Sequence, residues 1–407
     1  MYRIKDIALA PQGNQKIDWV REHMPVLNSI RREFEKGKPF KDQVVAICLH
    51  LEAKTGYMAE VFIHGGAEVY ISGSNPLSTD DAVCASLAEK GINVYSWYNI
   101  DSDSYYENLH ILLDAHPTVI IDDGGDLTSL LHTEKDIKSV RGACEETTTG
   151  ITRVRALQKK GLLKFPVIAV NDAYCKSLFD NRYGTGQSAL EGIMRSTNLV
   201  IAGKKVVIAG YGWVGKGLAL RARGLGAAVI VTEVDPIKAL EAYMEGFSVM
   251  PMDEAAEIGD IFVTATGNID VIRKEHFKKM KSGAILCNAG HFDVEIDVQF
   301  LKEMGKAKKI RDLVTEYTVN GKKLHLLGEG RLVNLACADG HPAEIMDLSF
   351  ALQVLSARYV LEHELDNRLI PVPQELDIKV AELALNARNI KKDVLTDKQK
   401  EYLASWE

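Results

Sequence analysis

Residues Lys205 to Gly215 read Lys-Val-Val-Ile-Ala-Gly-Tyr-Gly-Trp-Val-Gly. The apolar run Val206 to Ala209 predicts a buried strand, and Lys216 to Leu225 follows at helical period. Gly210, Gly212 and Gly215 stand between them, around Trp213 and Val214. Glycines here allow a tight turn, close approach of a pyrophosphate and packing of helix on strand, while the helix N-terminus meets the phosphates. A bare GxGxxG is weak evidence. This one follows a strand, opens a helix, and has Glu233 at the end of the next strand, 18 residues after Gly215. Those three tests separate it from a glycine turn without ligand. A carboxylate at Glu233 can accept both ribose hydroxyls and would repel a 2′-phosphate, which favours NAD over NADP, although Lys238 nearby blurs the exclusion.

Short apolar runs recur on both sides of this motif. Val44 to Leu49, Ala67 to Ile71, Asn93 to Trp97, Thr118 to Ile121 and Val167 to Val170 form one series; Lys205 to Ala209, Ala228 to Thr232, Ile261 to Thr264 and Ala284 to Cys287 form another. Strands alternating with helical stretches predict parallel sheets, and two lobes are more economical than one sheet of nine strands. The expected fold is α/β: two doubly wound Rossmann-like lobes and a small C-terminal helical tail. Residues 1–183, completed by about 341–368, would form a substrate lobe, 184–340 the NAD lobe, and 369–407 a tail packing on a neighbouring subunit. The helix-like stretch Ser188 to Thr197 would be one connector, with a second crossing near Gly340-His341-Pro342.

The bulk properties agree with an enzyme. The 407 residues carry a net charge of -7, which argues against a general nucleic-acid or anionic-membrane binder and for a small-molecule partner. Six scattered cysteines, Cys48, Cys84, Cys144, Cys175, Cys287 and Cys337, suggest neither a disulfide framework nor a zinc knuckle. No apolar run approaches the ~20 residues of a membrane span, so a cytoplasmic protein is expected.

Polar clusters follow several of the strands. Asn171-Asp172-Ala173-Tyr174-Cys175-Lys176 is followed by Asp180-Asn181; on a helix Lys176 and Asp180 share a face, as a surface ion pair or as a catalytic pair whose Lys burial makes a base. Asp122-Asp123-Gly124-Gly125-Asp126 stands at the carboxyl end of a strand, where open α/β sheets bind ligands, and suits acid–base work better than metal; no metal site is expected. Glu145-Glu146-Thr147-Thr148-Thr149-Gly150 suits a ribose or, equally, a capped helix start. His50 and His291 each follow a strand, and a lone His is more often a satisfied core residue than a functional one.

Together these strings resemble the S-adenosylhomocysteine hydrolases from Asp6 to about Leu403. The resemblance is carried by Asp122 to Asp126, Glu145 to Gly150, Asn171-Asp172 with Lys176 and Phe179 to Asn181, Ala209 to Gly217, Asn288 to Asp297 and Gly328 to His341. It implies a tightly bound, recycled NAD that oxidises the substrate ribose at 3′, elimination of homocysteine, water addition and reduction of the ketone. It further implies that Lys176 with Asp180 takes the 3′-hydroxyl proton and that Glu146 holds the ribose hydroxyls. Asp123 and His50 would serve the 4′ proton and the leaving thiol or water, with His291 near the water. Asn171 and Asn181 would orient the Lys and the nicotinamide carboxamide; Thr147, Thr148, Thr149, Asn268, Asn288 and Asn334 would contact NAD. Glu52, Lys54, Thr55, Ser78, Asp339 and His341 would bind the rest of the substrate. A homotetramer closing on a hinge is implied as well. An ordinary dehydrogenase releasing NADH is the alternative; it explains the glycines but not the joint presence of Lys176, Asp180, Glu146 and Asp123.

The chain departs from the family pattern in three places. After His50 the run is Leu51-Glu52-Ala53-Lys54-Thr55, where the common form is Met-Thr-Val-Glu-Thr. The purine-reading Glu is thereby a Lys, which can only donate. Asp339 replaces a Met, so the pair could suit hypoxanthine, with a carbonyl at 6 and N–H at 1, better than adenine. Alternatively Lys54 pairs with Glu52 or Asp339 and backbone groups read adenine. The family's Lys- and Tyr-bearing tail is not matched beyond Trp406-Glu407, and a usual Cys is Thr185.

Overall fold

The computed structural model describes residues 1–135 and 138–406. Two eight-stranded sheets form its centre. In the first the strand order is Tyr2–Arg3, Asn93–Tyr95, Glu68–Gly73, Val44–Leu49, Val119–Asp122, Gly142–Glu145, Val167–Ala169 and Leu369–Pro371, every pair parallel. The chain winds outward from Val44–Leu49, then returns to Val119–Asp122 on its other side. This reversal leaves a crevice at the carboxyl ends of those two strands. Register pairs Cys48 with Asp122 and Asp122 with Glu145. His50, Asp123 and Glu146 therefore leave three adjacent strands at one edge.

The second sheet runs Ser248–Val249, Ala228–Thr232, Lys205–Ala209, Ile261–Thr264, Ala284–Asn288, Lys322–Leu327, Val314–Val319 and Lys306–Arg311, the last two strands joining antiparallel. Its reversal lies between Lys205–Ala209 and Ile261–Thr264, beside Gly210. Buried apolar clusters cover both faces of each sheet, as parallel sheets require.

Helix Thr185–Thr197 carries the chain into the second lobe, and Ala343–Glu362 returns it to pack across the first. The joint is close: a Cβ on Gly217 would lie 1.7 Å from the Arg182 carbonyl oxygen. One strand unseen in the apolar pattern has a plain physical cause. Lys306–Arg311 reads Lys-Ala-Lys-Lys-Ile-Arg and is exposed throughout, an edge strand held by backbone pairing and kept single by charge.

Residues from 369 onward also build the first lobe. Leu369–Pro371 completes the first sheet beside Val167–Ala169, and helix Gln374–Ala387 packs on Pro25–Gly37 and Ala343–Glu362 of the same chain. Ile370 and Val380 supply the buried apolar surface that draws it in. Beyond it, the helix Asp397–Ala404 has no buried residue, and Glu407 lies outside the described residues.

All six cysteines are buried and unpaired, and among the described residues no helix is long and apolar enough to cross a membrane.

Candidate active site

The two sheet crevices face one another across a cavity of roughly 1160 Å³. From the first lobe His50 and Asp123 enter it, with His50 Nε2 3.2 Å from Asp123 Oδ2. Ser78 stands behind the imidazole, Oγ 2.6 Å from Nδ1, and so serves His50 rather than the cavity wall. His291 arrives from the second lobe, Nδ1 3.5 Å from Asp123 Oδ1. Gly124 permits that approach: its φ is +86°, and a Cβ there would lie 2.5 Å from His291 Nε2. Burial drives the His50 pKa down to about 4 despite Asp123. Burial pushes Asp123 the other way, but His291, His50, the Ser74 hydroxyl and Lys176 outweigh it and hold the carboxyl below its ordinary value. The result is a neutral imidazole beside a carboxylate. Two imidazoles and a carboxylate are also metal-ligand types, their ligand atoms lying within 4.8 Å of one another.

Lys176 sits on a short turn, Tyr174–Lys176, that runs into a π-helix, Ser177–Gly184. The wider turn brings both following polar residues onto the ammonium. Nζ donates to Asp180 Oδ1 at 3.1 Å and to Asn181 Oδ1 at 2.7 Å, with Asn171 Oδ1 at 3.4 Å. Regular α-helical spacing alone would favour the i,i+4 partner; π-bulges recur at functional sites. Asn181 and Asn171 are themselves linked at 3.1 Å, and Asn171 donates to Thr148 at 3.0 Å. Glu146 Oε1 is 3.7 Å from Nζ.

The Lys176 pKa is a balance of opposing influences. Burial is the largest influence and acts to lower it, but Asp180 and Glu146 together exceed it and the pKa is raised. Glu146 bears the reverse balance: burial lifts it to about 8 although Lys176 opposes.

Lys54 is buried, with Nζ 2.7 Å from Glu52 Oε2 and donating to the Asp339 backbone oxygen at 3.0 Å. Both Glu52 and Lys54 line the cavity, as does Thr55, whose hydroxyl is fixed on the His50 carbonyl. The Asp339 carboxylate does not. It is 89% exposed and reaches Arg195 at the surface, because only the backbone of residue 339 turns inward. His341 is held by Thr185 Oγ1 at 2.8 Å and lies 3.6 Å from Asp180.

In the second lobe a Cβ on Gly215 would lie 2.0 Å from the Gly210 oxygen, whereas one on Gly212 would meet nothing within 4 Å. Gly215 thus serves helix packing, and Gly212 faces open space where a phosphate fits. Gly210, Trp213, Val214, Asn268 and Thr147 to Thr149 line the same space. Glu233 Oε2 accepts the Tyr211 N–H at 2.6 Å and Oε1 that of Val234 at 2.7 Å. Asn288 and Asn334 are fully buried and outside the lining. Asn288 shapes the His291 loop by accepting the Gly290 N–H at 2.7 Å and donating to the Phe292 carbonyl at 2.8 Å.

Residues 1–140 match the family model "S-adenosyl-L-homocysteine hydrolase" and residues 181–340 the model of its NAD-binding domain. The chain belongs to the S-adenosyl-L-homocysteine hydrolase family. Similar relatives include the S-inosyl-L-homocysteine hydrolases of Methanocaldococcus jannaschii, 58% identical, and Methanococcus maripaludis, 55% identical, each alignment covering 100% of this chain and 99% of the relative. The adenosylhomocysteinase of Pyrococcus abyssi is 57% identical over 100% of this chain and 98% of its own. Membership makes the protein a thioether-bond hydrolase with an NAD-binding domain. Gly210 to Gly215 and Glu233 fit that cofactor.

Two residues of this hydrolase escaped the sequence reading. Ser349 donates to Asp180 Oδ2 at 2.9 Å, and Gln353 Nε2 donates to Glu146 Oε2 at 2.5 Å. Their signal was available: Asp347, Ser349, Gln353 and Ser356 are polar residues interspersed among the apolar ones of helix Ala343–Glu362, and all four are buried.

Proposed function

We propose that this protein reversibly hydrolyses a nucleosidyl-homocysteine thioether to nucleoside and L-homocysteine, and that it accepts S-inosyl-L-homocysteine at least as well as S-adenosyl-L-homocysteine. The observation that carries the reaction is the convergence of Lys176–Asp180, Glu146 and His50–Asp123–His291 on one cavity that also reaches Gly212. A thioether carbon resists direct attack by water, whereas a thiolate leaves readily when it stands β to a carbanion, and the carbanion needs an adjacent carbonyl. NAD held at Gly210 to Gly215 and Glu233 would supply that carbonyl by reversible hydride transfer at ribose C3′.

The chain does the rest. Glu146 accepts from the ribose hydroxyls and so holds the sugar. Lys176 takes the 3′-hydroxyl proton in its neutral form, which the positive charge of oxidised NAD held in the same cavity would favour. Asp180, Asn181 and Asn171 hold Nζ in place. Neutral His50 and ionised Asp123 handle the C4′ proton and protonate the departing sulfur; His291 orients the water that adds.

An ammonium has three donors. Lys54 uses two on Glu52 and the Asp339 carbonyl, which leaves one for the carbonyl at position 6 of hypoxanthine. Glu52 supplies the carboxylate acceptor for N1–H, in place of the outward Asp339. A cytoplasmic homotetramer belongs to the same reading: six thiols are buried and unpaired, and Ile237, Leu240 and Met244 are exposed on helix Pro236–Met244. The test is turnover of purified protein with both thioethers while the cofactor's redox state is followed. Nucleoside release without net NADH is expected; a stoichiometric demand for NAD with accumulating NADH would make it a dehydrogenase.

A further inference from the structure

We infer that Gln353 is a positioning residue that holds Glu146 by one carboxylate oxygen and sets where in pH that carboxylate ionises. This rests on the role proposed for Glu146. Gln353 lies on the return helix Ala343–Glu362, 207 residues from Glu146, and is fully buried. A primary amide in such a place costs stability unless it is bonded. Its Nε2 donates to Glu146 Oε2 at 2.5 Å, while its own Oε1 and Glu146 Oε1 are buried without a hydrogen-bond partner. One oxygen of Glu146 is therefore tied down and the other is free toward Lys176 and the cavity.

The same helix holds the second acid by the same means, Ser349 donating to Asp180 Oδ2 at 2.9 Å one turn earlier. Met346 and Phe350 of that helix line the cavity. One helix face thus indexes both carboxylates that flank Lys176.

The groups facing Glu146 are Lys176 and Asp180 from the turn and π-helix, Asp123 from the neighbouring strand end, Cys144 on its own strand, and Gln353. Gln353 and Lys176 favour the ionised form; burial, Asp180 and Asp123 oppose it. An amide donor bonds more strongly to a carboxylate than to a neutral acid, so its loss must move the ionisation upward.

The test uses the NAD-loaded protein and two variants. Gln353→Met keeps the volume and removes the donor. The infrared carbonyl band of protonated Glu146, identified by its absence in Glu146→Gln, should titrate about one to two pH units higher than in wild type, the shift of one charge-assisted hydrogen bond. The acidic limb of kcat/KM should move with it. Gln353→Glu can donate only while the two acids share a proton, so it should retain activity on the acid side and lose it as pH rises, the opposite response. An unmoved Glu146 band in Gln353→Met, or a Gln353→Glu profile parallel to it, would reduce Gln353 to a packing residue. The infrared titration needs no substrate, so it stands apart from any failure of the proposed reaction.

Discussion

The ammonium of Lys54 lies 2.7 Å from the carboxylate of Glu52, two residues earlier at the start of the same helix. Glu52 is also the cap of that helix, accepting the N–H groups of Lys54 and Thr55. One carboxylate thus sets both the helix start and the direction of the Lys54 head group. Lys54→Glu would set two carboxylates together and remove the donor toward the purine. Relative kcat/KM for inosyl over adenosyl thioether should fall about tenfold, the value of one mismatched buried hydrogen bond. A ratio that does not move would make Lys54 an ion-pair partner only.

Lys176→Ala should lower turnover by about 10² to 10⁴-fold, roughly 3 to 5 kcal/mol of barrier, while NAD remains bound. Cofactor retention is read by absorbance after gel filtration and the rate by nucleoside release. A near wild-type rate would refute the role.

Asp377 accepts the N–H groups of Tyr174 and Cys175, both at 2.8 Å, and so caps the turn that carries Lys176. Asp377→Ala should cost about 1 kcal/mol of stability, as other caps do, and lower kcat more than it raises KM, because the ammonium loses its fixed position. Denaturant unfolding and steady-state kinetics check the two halves.

Asp347 gives a prediction in pH. It is buried, accepts the N–H groups of Val26 and Leu27 at 2.9 and 2.8 Å, and burial raises its pKa from 3.8 to about 7. A carboxyl whose folded pKa is raised contributes stability in full below the unfolded value and loses it as pH climbs through the folded one. The stability difference between wild type and Asp347→Asn should therefore favour wild type more at pH 5 than at pH 8. Urea midpoints at the two pH values measure it, and a difference that grows with pH would contradict the assignment.

Much of the architecture was legible in the chain because it rests on local pattern. Val206 to Gly215 with Glu233 declares a dinucleotide turn by period and spacing alone, and His50, Asp123 and Glu146 are readable because strand ends in α/β sheets are where ligands bind. Lys176, Asp180 and Asn181 were legible as a group, but not their geometry, since a π-helix differs from an α-helix by one hydrogen-bond step that no residue type announces.

Other features depended on contacts between distant parts of the chain. The partners of Glu146 and Asp180 lie on a helix about 170 to 210 residues away, and that helix reads as plain core until its polar face meets the site. The outward turn of the Asp339 carboxylate, the net rise of the Lys176 pKa and the merging of residues 369–387 into the first lobe are of the same kind. Periodicity and turn chemistry act between near neighbours and are written in the sequence. Burial, charge balance and the aim of a side chain depend on everything packed around it, and these only the tertiary structure decides.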